Sequence, residues 1–225
     1  MRHNMIQNAT TFSRGRGLFV VAFALGCVFG TASFSAAQVT PPTTPKDITP
    51  PANNVSFLVG HARGTQGYIC LPTSDGAASW TVANARPEAT LFADVFGQDL
   101  EIITHFLSPV TNPNKHAPKP LPFGSATWQS SLDSSVVWAK KTGNIVAGTD
   151  ASCPNSGSID CLLLQSIGNL KGPTGGKDLA TTTYVQRLNT NGGSAPATGC
   201  SVAGDVGNQI LVPYTADYYF FHHEK

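Results

Sequence analysis

Charge is scarce in this chain. Asp, Glu, Lys and Arg together make up 12% of its 225 residues, whereas about 25% is usual for a globular domain. The 14 basic residues nearly balance the 13 acidic ones, and neither kind forms a run. Nucleic acids and anionic membrane surfaces are bound by concentrated positive charge, so we expect no nucleic-acid partner and no polybasic membrane patch. The surface must instead be covered by Ser, Thr, Asn, Gly and Gln.

The motifs of several enzyme and cofactor classes are also missing. There is no G-x-S-x-G elbow, no C-x-x-C pair, no H-x-H or H-x-x-x-H pair, and no G-x-G-x-x-G after a strand. Residues 172–177 (GPTGGK) are one residue short of a phosphate-binding loop, and Asp178 stands where Ser or Thr would hold magnesium. We therefore expect no nucleotide partner, no cofactor and no native metal site.

A long apolar run occurs only near the amino terminus. Residues 18–34 are mostly apolar, they follow Arg14 and Arg16, and the small residues 35–37 come next. This order is typical of a signal peptide spanning residues 1–37, with Gln38 as the first mature residue. A retained membrane anchor and lipidation at Cys27 are the alternatives. We expect cleavage, a secreted or periplasmic location, and no membrane span after the signal is removed.

Residues 38–54 contain five prolines and many threonines. Such a composition is typical of an extended linker, and the segment offers almost nothing that could enter a core. We interpret it as a Pro/Thr-rich tether. The domain is then expected to occupy residues 55–225.

Within that domain the local pattern is one of short apolar stretches separated by Gly, Asn, Asp and Pro, which is typical of strands. The predicted strands are 55–60, 67–71, 79–82, 90–95, 101–107, 136–140, 145–147, 161–167, 181–188, 209–212 and 216–222. No segment keeps a helical period over three turns, and 162–167 is the best candidate for a short helix. The fold class is therefore mainly β, a single disulfide-stabilised β-sandwich or β-barrel with short helical segments at most.

Residues 181–188 show the clearest strand alternation. Thr181, Thr183, Val185 and Arg187 fall on one face, and the intervening residues, including Tyr184, fall on the other. Residues 109–122 interrupt the strands with five prolines and are expected to form a long surface loop.

Four cysteines remain after the signal peptide, and an even number in an exported domain indicates two disulfides with three possible connectivities. We favour Cys153–Cys161, which closes a short loop, together with Cys70–Cys200, which joins an early strand to a late one. A zinc site is the competing interpretation.

Candidate catalytic residues are few. His105 follows an apolar pair, whereas Ser131 and Asp133 lie in a serine-rich segment that also has the composition of a polar turn. A hydrolase or a histidine-metal redox enzyme would have to assemble its site from such separated residues.

Candidate ligand-binding residues come from the aromatic side chains, which can form platforms for sugar rings but more often belong to a core. Trp128 and its neighbour Gln129 directly follow the proline-rich loop, and Tyr184 lies in the strand with the clear alternation. We take these three as candidates.

Five segments together resemble domain-of-unknown-function family 3455, a family of secreted bacterial and fungal proteins. They are 64–70 (GTQGYIC), 126–131 (ATWQSS), 161–164 (CLLL), 185–196 (VQRLNTNGGSAP) and 212–220 (VPYTADYYF). The resemblance covers the chain from about residue 55 to residue 222 and implies no catalytic residue. Both Cys70 and Cys200 fall within the part of the chain that the resemblance covers, which supports their pairing, and the resemblance suggests that Cys153 and Cys161 form an additional bridge.

Three classes of function fit these observations. The first, which we favour, is a non-enzymatic extracellular or envelope module that binds a polysaccharide or a small-molecule ligand. The second is the hydrolase or histidine-metal redox enzyme described above. The third is a structural or stress-related envelope protein.

Overall fold

Nine antiparallel strands form the framework of the computed structural model, which describes residues 39–82, 88–109 and 124–224. The predicted signal peptide, residues 1–37, and residues 110–122 of the predicted surface loop lie outside the described residues. The strands are β1 Asn54–Pro72, β2 Ala78–Thr81, β3 Glu88–Val95, β4 Gln98–Leu107, β5 Ala126–Ser130, β6 Val136–Ile145, β7 Cys161–Leu170, β8 Tyr184–Gly192 and β9 Gln209–His223. Two short 3₁₀ helices, Lys46–Ile48 and Ala203–Asp205, accompany them.

The sheet closes on itself. Each strand from β3 to β8 pairs with the next one along the chain. Strand β1 pairs with β3 along one edge and with β9 along the other, while β2 adds a short extension to β1. Eight strands thus form a barrel. The fold is mainly β, as predicted, and of the two predicted architectures it is the barrel. A barrel of this strand number has an interior that holds either packed side chains or one small ligand.

Several predicted strands are parts of longer ones. The two predicted stretches at 55–60 and 67–71 are both within β1, and 209–212 and 216–222 are both within β9. These two strands pair from Asn54–His223 to Ile69–Gln209, with one register shift between Ser56 and Leu58. Gly64 permits the path of β1, since a Cβ there would collide with the backbone oxygen of Glu88 on β3. The prediction omitted β5, and residues 162–167 are part of strand β7 and not a helix.

Alternate residues of each strand point into the barrel and build its core. On β9 these are Tyr214, Ala216, Tyr218 and Phe220, which pack with inward-facing residues of the other strands. Partners in the same core include Leu91, Ile103, Trp128, Val137, Leu164 and Val185. Val185, in the predicted alternating segment 181–188, thus has its side chain in the barrel interior.

A second core lies on the outer face of β7, β8 and β9. Tyr219 and Phe221 pack there with Leu163, Leu188 and Ile48. Ile48 belongs to the segment predicted to be a tether, yet its side chain is 0% exposed. Residues 38–54 were expected to offer almost nothing to a core, and Ile48 is the residue at which the structure departs from that expectation.

Both favoured disulfides are present. Cys70–Cys200 joins the end of β1 to the loop before β9, and Cys153–Cys161 closes the short loop before β7. Structural disulfides persist outside the reducing cytosol, so the two bridges indicate a non-cytoplasmic protein. Across the three described ranges, no helix has the length and apolar character needed to cross a bilayer.

Candidate ligand-binding site

A cavity of about 550 Å³ opens at one end of the barrel, where inward-facing side chains and the exposed residues Val82 and Lys141 line it. It occupies the end where β4 finishes and β5 begins, a position marked by the paired residues Leu107 and Ala126. The loops that contain Ser158 and Ser194 also line it. Its volume falls within the range of roughly 300–1,000 Å³ that is usual for small-molecule sites.

The wall of the cavity combines an apolar and a polar part. The apolar part includes Tyr68, Trp128, Ile159, Leu162, Leu164 and Tyr218. The polar part includes Gln66, His105, Lys141, Ser158, Asp160 and Arg187. Mostly apolar lining with a few polar groups that fix orientation is typical of a small-ligand site.

His105 and Trp128 form the stacked pair at the centre of this wall. They are direct neighbours on β4 and β5, so their side chains share the inner face of the sheet. Their rings are parallel within 7°, with centroids 4.4 Å apart, and Tyr218 lies 5.4 Å from the imidazole. The pair is rigid, because both side chains are held by strand backbone and by each other. With His105 3% and Trp128 1% exposed, the two rings back the cavity and leave little of their surface accessible.

The imidazole of His105 is neutral at neutral pH. Burial lowers its pKa to about 4, the hydrogen bond to Thr127 opposes this shift, and the nearby charge of Arg187 adds to it. Nδ1 lies 2.8 Å from the backbone oxygen of Thr127. Since a carbonyl oxygen only accepts, the proton is on Nδ1 and Nε2 is left as an acceptor.

Arg187 brings a positive charge into the barrel. It lies on β8 between Leu162 of β7 and Tyr218 of β9, and it is only 9% exposed. Nε and Nη2 donate to the backbone oxygen of Asp160 at 3.1 and 2.7 Å. Among the described residues the ion pairs are His61–Asp217 and Arg63–Asp99, so no carboxylate there neutralises Arg187.

Tyrosine hydroxyls hold the remaining inner surface in place. The hydroxyl of Tyr68 donates to the backbone oxygen of Gly193 at 2.7 Å, which attaches the loop of residues 193–195 to the barrel wall. The hydroxyls of Tyr214 and Tyr218 are 3.0 Å apart, and burial raises the pKa of Tyr214 well above its usual value. The indole Nε1 of Trp128 is buried and has no hydrogen-bond partner in the described part of the chain.

The three predicted catalytic residues do not come together. His105 lines the cavity, whereas Asp133 and Ser131 lie in the turn between β5 and β6, at the opposite end of the barrel. Asp133 accepts hydrogen bonds from Ser135 and from the backbone of Asp178, and Ser131 donates to Glu101 at 3.0 Å. Burial opposes ionisation of Asp133, but these bonds together lower its pKa to about 2. Its carboxylate organises the turn.

The three predicted ligand-binding residues are also separated. Trp128 is in the cavity wall, but it is 1% exposed and packs on Tyr218 and Phe220. Gln129 is the next residue on the strand and points to the other face. Tyr184 packs against the second core outside the barrel.

Arg187 is a site residue that was not predicted from the sequence. The signal was present, because the alternation placed an arginine on the same strand face as Val185, and a charged residue on a core-facing position is rare without a partner. Tyr68 and Tyr218 carried no comparable signal, since aromatic residues in strands are usually core. Within the described ranges, no three His, Cys, Asp or Glu residues are grouped as metal ligands would be.

Comparison with known proteins gives a match to one family model. No curated protein and no solved structure matches the chain. The family model described as "Protein of unknown function (DUF3455)" matches residues 51–222. That match spans most of the chain and the whole barrel from β1 into β9. The chain therefore belongs to the DUF3455 family.

Proposed function

We propose that this protein is an exported binding protein that holds a small, partly apolar ligand inside one end of its barrel. The cavity supports this proposal, because it combines a rigid aromatic wall at His105 and Trp128 with polar groups such as Gln66. A purely structural barrel of eight strands would be filled by its own side chains. The space left open at this end of the barrel, beside a packed core, is therefore the observation on which the proposal rests.

A small ligand fits this site better than a polysaccharide does. Binding of a sugar polymer needs a row of aromatic rings on an accessible surface, but Trp128 is 1% exposed and Trp138 is 8% exposed. The third tryptophan, Trp80, is half-buried, and its Nε1 donates to the backbone oxygen of Thr198. The proposed ligand accordingly enters the barrel and does not lie along it.

The same contacts favour binding over hydrolysis. A hydrolase built from the predicted residues would need Ser131 or Asp133 within hydrogen-bond reach of His105. Both side chains instead form hydrogen bonds at the far end of the barrel. The low pKa of His105 also makes it a weak base at neutral pH.

Export completes the proposal. The apolar leader of residues 1–37 is the expected signal peptide, and two disulfides stabilise the domain that follows. We propose that the mature protein is secreted or periplasmic and binds its ligand there.

A neutral fluorescent probe tests whether the cavity binds ligands. Prodan, an uncharged naphthalene ketone, changes its emission when it leaves water, and it is small enough for the cavity. Residues 38–225 should bind it saturably at one site. Ala126→Phe places a ring into the cavity and should weaken binding by about tenfold or more, equivalent to about 1.4 kcal/mol.

Val146→Phe is the matched control, because Val146 is 60% exposed and lies outside the cavity. It should bind prodan as the wild type does, and circular dichroism should show that both variants are folded. Equal affinity of all three proteins, or no saturable binding by the wild type, would contradict the proposal.

A further inference from the structure

We infer that the ligand carries an anionic oxygen group, of the carboxylate type, which binds the guanidinium of Arg187. This inference rests on the proposed binding function and specifies its ligand. The ligand class is a small organic anion with an apolar or aromatic body.

The first reason is the isolated charge of Arg187. A buried cation is stable only when hydrogen bonds and an opposite charge offset its loss of hydration. Here the described residues supply a single backbone oxygen, that of Asp160, and no carboxylate within ion-pair distance. The pKa values of Tyr68, Tyr214 and His105 all respond to this charge, so it acts on the centre of the barrel. An anion in the cavity would provide the missing opposite charge.

The second reason is the geometry of the guanidinium. Nε and Nη2 lie on one side of the planar group, and both donate to the oxygen of Asp160. The end of the group is formed by one N–H of Nη1 and the second N–H of Nη2. Among the described residues, the hydrogen bonds of Arg187 come from Nε and Nη2 to Asp160 and leave this end without a partner. This end-on pair matches the two oxygens of a carboxylate or a similar oxyanion.

The third reason is the balance of charge around the cavity. The carboxylate of Asp160 accepts a hydrogen bond from Nδ2 of Asn144 at 2.9 Å and makes no ion pair with Arg187. Lys141 is exposed and adds a second positive charge to the lining. His105 is neutral. The lining therefore carries an excess of positive charge in a protein that has little charge elsewhere.

The apolar residues of the cavity wall beside Arg187 indicate the chemical character of the rest of the ligand. The stacked rings of His105 and Trp128 lie near Tyr218, and Tyr218 is the direct neighbour of Arg187 on β9. Leu162 is the direct neighbour of Arg187 on the other side. An aromatic or aliphatic group attached to the anion would thus contact apolar surface immediately beside the guanidinium.

Two probes of the same shape test this inference. Isothermal titration calorimetry would compare naphthalene-2-carboxylate with its neutral amide, naphthalene-2-carboxamide, on residues 38–225. Charge-assisted hydrogen bonds should make the carboxylate bind about tenfold more tightly or better. In Arg187→Met the carboxylate should lose this advantage, and in Arg187→Lys it should keep part of it, because lysine retains the charge without the planar fork.

Arg63→Met is the matched control, since Arg63 is an exposed arginine on the same barrel that already pairs with Asp99. It should keep the full preference for the carboxylate. Equal binding of both probes to the wild type would overturn the inference and leave the proposed function intact. Loss of binding of both probes together with prodan would overturn the proposed function itself. The wild-type comparison decides the question even if Arg187→Met does not fold.

Discussion

The side-chain amide of Gln186 donates from Nε2 to the backbone oxygen of Ile48 at 2.6 Å. This bond connects the middle of β8 to the 3₁₀ helix Lys46–Ile48, which precedes the first strand. The helix also lies against β6, where Gly143 is required because a Cβ would collide with the backbone oxygen of Asp47. The residues before the barrel thus form part of its folded structure, and they cover the second core.

Removal of the Ile48 side chain should destabilise the domain. Ile48→Ala deletes a fully buried side chain from the second core, and such a change costs about 2–4 kcal/mol of unfolding free energy. Urea denaturation followed by circular dichroism measures the loss. Leu211→Ala is the control, because Leu211 is 61% exposed and should have little effect. Equal stability of the two variants would show that residues 39–53 do not contribute to the fold in solution.

Replacement of Arg187 should not destabilise the empty protein. Arg187→Met removes a buried charge that has no carboxylate partner in the described residues and supplies an apolar side chain of similar length. Replacement of buried ion pairs by apolar groups is often neutral or stabilising by about 1–4 kcal/mol, and removal of Arg187 leaves no carboxylate unpaired among the described residues. The thermal midpoint measured by calorimetry should therefore equal or exceed that of the wild type. A large decrease would mean that the guanidinium is needed for the fold, in contrast to the ligand-binding role inferred above.

Stability should depend on pH through His105. Its pKa is lowered from 6.5 to about 4 in the folded state, so the unfolded state binds the proton more readily between these two values. Stability should consequently rise with pH from about 4 to 6.5, and the contribution of this one residue is on the order of 3 kcal/mol. This contribution to the unfolding free energy is fully present above pH 6.5 and is lost as the pH falls toward 4.

Unfolding free energies of the wild type and of His105→Phe over this pH range measure the effect. The variant should show a smaller slope, whereas exposed His223→Gln should keep the wild-type slope. The lowered pKa of Asp133 acts in a different window, near pH 2 to 4, and does not confuse the comparison. Identical slopes in the wild type and His105→Phe would contradict a neutral, buried imidazole.

The two disulfides should contribute unequally to stability. Cys70–Cys200 spans 130 residues, whereas Cys153–Cys161 spans 8. From chain entropy, the first should stabilise the fold by about 5 kcal/mol and the second by about 2.5 kcal/mol. Paired Cys→Ala variants compared by urea denaturation should show this order. The reverse order would indicate that packing of the sulfurs, and not closure of the chain, determines their effect.

Export should remove the leader. When the full chain is produced with its own residues 1–37 in a secreting bacterial host, the recovered protein should begin at Gln38 and contain no free thiol. Amino-terminal sequencing and mass analysis after alkylation without reduction measure both properties. Unprocessed protein with reduced cysteines would contradict the proposed location.

The local pattern of polar and apolar residues predicts the strands of this fold. Polar and apolar residues alternate at 181–188, and the structure places Val185 and Arg187 inside the barrel and Tyr184 outside. The pairing of the four cysteines could also be predicted, because a short loop favours Cys153–Cys161 and leaves Cys70 for Cys200. Such predictions succeed because they depend on neighbours along the chain.

Other features depend on contacts between distant residues. Residues 126–130 have little apolar character apart from Trp128, and they form a strand because β4 and β6 supply hydrogen bonds on both sides. Ile48 is buried only because β6, β7 and β8 present a second apolar face to it, which no local composition reveals. The closure of the sheet likewise requires the pairing of β1 with β9, the first long strand with the last.

The candidate site belongs entirely to this second group. His105, Trp128, Arg187 and Tyr218 come from four strands, and the sequence indicates only that each is a strand residue. Their chemistry arises when the barrel closes, because closure removes water from the guanidinium and the imidazole while leaving a space beside them. The amino-acid sequence by itself determined the β class, favoured the two disulfides that form, and predicts a leader. Only the tertiary structure decided that the unpaired guanidinium of Arg187 would line the same cavity as His105 and Trp128.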